Sequence, residues 1–186
     1  MGTEAVKTDT HNTASLRLFS LSPRLLTILM LLLLAVQFLL GMVVNLFVQV
    51  PSIHPGVGAS NYFQGVLQGV AWALVHAPLG LLVHAIVGLL LFLTSLILIG
   101  FAIASRRRAW IIVSVIGLIG IMAAGFNGAS FMNYGGHNFS SLLMSIGFLL
   151  ATVAYTIGLS LALRRDRRAG SHEHIKCNTK VRLVAL

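Results

Sequence analysis

The sequence predicts an all-α integral membrane protein, a four-helix transmembrane bundle with an extra outer helix that is interfacial or re-entrant. Three observations carry this: long tracts without charge, basic residues confined to the flanks of those tracts, and a proline that divides the longest one. The chain is 57% hydrophobic and 9% charged, whereas a soluble domain carries about 25% charged residues. No Lys, Arg, Asp or Glu stands between Arg24 and Arg106, or between Arg108 and Arg164. A bilayer core of about 30 Å takes about 20 apolar residues as a helix, and both tracts are far longer.

The first span reads as 25–50, entered at Pro23 and closed by Pro51, since proline suits a first helical turn and stops a helix it follows. The apolar run after the arginines is too long for the ~7–15-residue core of a secretory signal, so it reads as a retained span. Residues 51–60, PSIHPGVGAS, form a loop by their prolines and glycines.

From Asn61 to Ala104 a single helix would measure roughly 66 Å, about twice the bilayer core. Pro78 is the expected break. Before it, the segment 61–77 places Gln64, Gln68, Trp72 and His76 on one helical stripe, the pattern of an uncharged helix at the membrane surface or over the end of the bundle. The remaining spans read as 79–104, 109–130 and 140–163, joined by short connections that favour an up-down-up-down order. Residues 1–24 form a polar tail expected to be disordered, and 164–186 a basic tail.

The net charge of +9 raises the question of nucleic acid. Placement answers it, because all 13 Lys and Arg flank hydrophobic segments or lie in the tails. The positive-inside rule puts such flanks in the cytoplasm, so both termini are expected there, in a plasma membrane whose lipid is the first partner. Nucleic acid is excluded as a partner on this reading. The single Cys177 sits in the basic tail as a free thiol.

Threading that topology gathers uncharged polar residues at the outer end: Asn45, Gln49, Asn127 and Asn133, with His54, His76, His84 and His137. No carboxylate joins them, because the four acidic residues, Glu4, Asp9, Asp166 and Glu173, all fall in the tails. Carboxylate relays, two-carboxylate hydrolysis and a Ser–His–Asp triad on that side are thereby excluded. Three readings stay open for the histidines. Haem b would take His84 as one axial ligand, with Gly80 and Gly88 leaving room for the porphyrin, and His137, His54 or His76 as the other. Copper or zinc would be held by imidazoles with Met42 or Met132. On the plainest reading His84 pins helix register by bonding to Asn45, Gln49 or Asn127. The function expected is a non-catalytic accessory or assembly partner of a membrane complex, acting with a membrane-protein partner or as a homodimer. The alternative is a b-type cytochrome exchanging electrons with quinol or an outer-side partner, or a histidine-based metal site. Passage of a small neutral solute through the outer polar region is a further possibility.

Overall fold

A computed structural model describes the backbone of residues 23–184 and the side chains of residues 24–164. The N-terminal tail, the tail histidines and Cys177 lie outside the described side chains. The described chain is all-helical: α1 (Pro23–Phe47), α2 (Tyr62–His76), α3 (Leu79–Ala104), α4 (Arg108–Asn133) and α5 (Asn138–Val184). Four segments are long and apolar enough to cross a membrane: Arg24–Phe47, Leu79–Ala104, Arg108–Asn133 and Asn138–Arg164.

Helix ends differ from the expected ones for local reasons. The first helix stops at Phe47, before the predicted 50, leaving Val48–Val50 unwound ahead of Pro51. A residue preceding proline is driven out of the α region. The start of α2 is fixed by Asn61, whose side chain accepts from Gln64 N–H at 3.1 Å. Its end is fixed by Pro78, with Ala77 already extended at ψ 156°. The fourth helix runs about a turn past the predicted 130. It stops where Gly135 and Gly136 turn left-handed, at φ 75° and 74°, and Gly136 N–H reaches back to Phe131 O at 2.9 Å. This six-to-one bond is the Schellman closure of a helix. The fifth helix carries its backbone beyond the predicted 163, through the arginines to Val184.

The four long helices form a ring in which α1 touches α3 and α5, and α4 touches α3 and α5, while the backbones of the diagonal pairs stay apart among the described residues. Contacting residues run in opposite order along neighbouring helices. Between α1 and α3, Gln37 meets Gly88, while Val48, just past the end of α1, meets Gly80. On α4 and α5, Gly128 meets Met144, Gly120 meets Gly147, and Val113 meets Gly158. Neighbours are thus antiparallel, the up-down-up-down order expected from short connections.

The α4–α5 contact is the most extensive in the fold. A Cβ built on Gly120 would stand 2.6 Å from Gly147 O, and one on Gly147 would stand 2.6 Å from Gly120 O. The backbones approach because neither residue has a side chain, the usual way helices associate where water supplies no driving force.

Packing differs between the two ends. Near the Arg106–Arg108 turn, Leu26, Met30, Leu34, Leu91, Leu98, Ile121, Ala151 and Tyr155 close into one core. Thr27, Ser95 and Ser114 are buried with them. Toward the opposite end no residue of α1 after Leu34 is buried, and none of α5 before Gly147. There α2 covers one side of the bundle, packing on α3 and α4 through Gly65, Val66, Gly69 and Ala73.

Candidate functional site

The polar residues at the α2 end are arranged as three joints between elements. The first couples α1 to α3. Gln37 and His84 place their Nε2 atoms 3.2 Å apart, the amide N–H donating to the imidazole. His84 Cε1 stands 3.3 Å from the position a Cβ would take on Gly41, and Gln37 Nε2 stands 3.2 Å from that position on Gly88. Each helix therefore carries a polar side chain followed four residues later by glycine, and each polar side chain fills the other helix's glycine notch. The bond leaves Gln37 Oε1 and His84 Nδ1 buried with no hydrogen-bond partner among the described residues.

The second joint holds α2 and its preceding loop on the end of α4. Asn133, 3% exposed, donates from Nδ2 to Gly65 O at 2.9 Å. Its side chain also lies where a Cβ on Gly69 would stand, at 2.6 Å from Oδ1. Gly56, at φ 103°, brings the loop so close that a Cβ there would sit 2.5 Å from Gly65 O. Only glycine suits both that conformation and that contact. Beside it His54 stacks on Trp72, with ring centroids 4.6 Å apart and planes 18° apart. The His54 Nδ1–H donates to Pro55 O at 3.0 Å.

The third joint ties the start of α2 to α4. Ser130 donates its hydroxyl proton to Phe126 O at 3.0 Å. Having one proton, it accepts from Tyr62 O–H at 2.7 Å. Aromatic contacts flank the bond: Tyr62 with Tyr134 at 6.4 Å, and Phe63 edge-on to Phe126 at 6.0 Å.

Outside these joints lies a shallow groove of about 520 Å³, lined by Pro55, Gln68, Ala71, Trp72, Val75 and His76. It is largely apolar, with Gln68 and His76 exposed on it.

The residues expected to form one outer polar set are therefore spread among separate places. Asn133 is buried in the second joint. Asn127 turns back to its own helix, donating to Ala123 O at 2.8 Å. Asn45 is exposed on α1, and Gln49 is exposed beyond its end. The partner of His84 is Gln37 rather than Asn45, Gln49 or Asn127, because Gln37 is the polar residue level with it on the antiparallel neighbour. His137 is exposed just ahead of α5, its carbonyl accepting from Ser140 N–H at 3.0 Å. Gln37, Gly41 and the Tyr62–Ser130 bond were not anticipated. The repeated spacing Gln37–Gly41 and His84–Gly88 was the signal for the first.

The space beside Gly80 and Gly88, expected to admit a porphyrin, is filled by Val48 and Gln37, and His84 Nε2 is engaged by the amide. These residues do not fit an axial haem site as they are packed. Among the described residues no group of three or more His, Cys, Asp or Glu side chains gathers as a metal site.

Four helices of this length and hydropathy are compatible with a small multi-pass membrane protein. Comparison of the chain with protein-family models, with curated proteins and with solved structures finds no match.

Proposed function

We propose that the chain is a non-catalytic integral membrane protein, an accessory or assembly partner within a plasma-membrane complex, with both termini in the cytoplasm. The observation that carries this reading is the commitment of the polar side chains. Gln37 with His84, Asn133 with Gly65, and Tyr62 with Ser130 each join one element to another. Residues 24–164 hold no Asp or Glu, so no carboxylate is at hand to orient or deprotonate a nucleophile there. The cytoplasmic placement of the termini rests on the arginines at one end of the spans and the positive-inside rule.

The partner-facing element in this reading is α2. Its small residues are turned to the bundle, while Gln64, Gln68 and His76 are exposed beside an apolar groove. A membrane-protein partner, or a second copy, would meet the chain there. A photo-crosslinking residue at Gln68 tests this in intact membranes, against a control at Leu32, which is exposed on α1. The expected result is one discrete adduct from position 68 and none from 32. A chain that stays monomeric and uncrosslinked at 68 while remaining folded would contradict the proposal.

A further inference from the structure

We infer that the arginine end of the bundle binds anionic phospholipid headgroups through a rim of guanidinium groups. This stands on charge and depth, and is independent of the accessory role. Within residues 24–164 every formally charged side chain is an arginine: Arg24, Arg106, Arg107, Arg108 and Arg164. All five lie at one end. Arg24 opens the first apolar span, Arg106 follows the second closely, Arg108 opens the third, and Arg164 closes the fourth. If these four helices cross the bilayer, each arginine stands where hydrocarbon gives way to headgroups, the depth of the lipid phosphates.

The chemistry selects phosphate. Guanidinium binds a phosphate with two parallel N–H bonds, whereas an ammonium acts as a point charge, and no lysine occurs in this part of the chain. The local backbone keeps the central trio outward. Arg106 takes the left-handed conformation at φ 53°, with its N–H on Ile103 O at 2.9 Å. Ser105 donates its hydroxyl to Ala102 O at 2.7 Å, closing the end of α3. Arg106, Arg107, Arg108 and Arg164 are all exposed. The start of α4 adds to the same field, since it has no side-chain cap and no acidic residue in its first turn, leaving the positive end of the helix dipole unopposed. Soluble phosphate shares this chemistry, but the position of the rim at the ends of all four spans commits the inference to lipid.

The test uses the full chain in mixed micelles of equal parts phosphatidylcholine and phosphatidylglycerol, with retained lipids counted by native mass spectrometry. The wild-type chain should retain phosphatidylglycerol over phosphatidylcholine by at least about tenfold, given the pull of several basic residues near an anionic surface. The variant Arg107→Gln/Arg108→Gln should lose most of that preference, and Arg164→Gln alone part of it. Gln64→Ala/Gln68→Ala, at the opposite end, should keep it. Equal retention of the two lipids by the wild-type chain would overturn the inference, as would a preference unchanged in both arginine variants. Displacement of phosphatidylglycerol by inorganic phosphate would also overturn it, by assigning the rim to a soluble anion.

Discussion

Gln37 and His84 share a hydrogen bond at 3.2 Å, and each side chain occupies the glycine notch of the other's helix, at Gly88 and Gly41. The arrangement fixes both the register and the spacing of α1 and α3. Interhelical hydrogen bonds in membranes average about 0.6 kcal/mol and reach about 1.7 kcal/mol. A double-mutant cycle with Gln37→Leu and His84→Leu should thus give a coupling of about 0.6–1.7 kcal/mol in reversible detergent unfolding. Strict additivity of the two losses would show that the bond contributes nothing.

The α4–α5 seam makes a sharper claim. At Gly120 an added side chain meets backbone atoms of Gly147 and Ala151, at 2.6 and 2.8 Å, and backbone cannot step aside as a flexible side chain can. Gly120→Val should cost about 1–3 kcal/mol or more. Gly125, on the same helix, has nothing within 4 Å of its Cβ position. Gly125→Ala should be neutral or stabilising by up to about 1 kcal/mol, through helix propensity. Equal melting temperatures for the two variants would argue against this packing.

Asn133 holds α2 down on the bundle. Replacing it with Ala removes the bond to Gly65 O and should weaken docking of α2 by about 1 kcal/mol. Hydrogen exchange checks this directly: amides of residues 62–76 should exchange faster, by roughly fivefold, while those of α4 and α5 near Gly120 stay as protected as before. Uniform loss of protection across the bundle would mean that Asn133 supports the whole fold and not this joint.

The packing around His84 also predicts a spectroscopic outcome. Chain purified from haem-replete cells should lack a Soret band, since Val48 and Gln37 fill the space beside Gly80 and Gly88. Absorbance near ~410 nm that disappears in His84→Ala would restore haem ligation by that imidazole.

Much of this fold is legible in the sequence, and the parts that are not have separate causes. Span number and approximate ends follow from apolar length, and the division of α2 from α3 follows from Pro78, because both depend on local chemistry. The end of α4 was harder, since Phe131–Asn133 resemble the loop that follows, and the helix closes only at Gly135 and Gly136. The polar residues show the main limit. Sequence gives the depth of Asn45, Asn127 and Asn133 along their helices, but not the direction each faces across the bundle. One is exposed, one bonds its own backbone, and one is buried under α2. Gln37, farther along α1 from that end than Asn45, supplies the partner of His84.

The central claim is that four helices cross the membrane while α2 lies on one side of it. Single cysteines placed at positions 57, 77, 107 and 135 of a Cys177→Ala chain test this in intact cells with a membrane-impermeant thiol reagent. The account predicts that 57, 77 and 135 react from outside and that 107 reacts only after lysis. Opposite accessibility at 57 and 77 would make α2 a fifth crossing and contradict the account, as would labelling of 107 from outside.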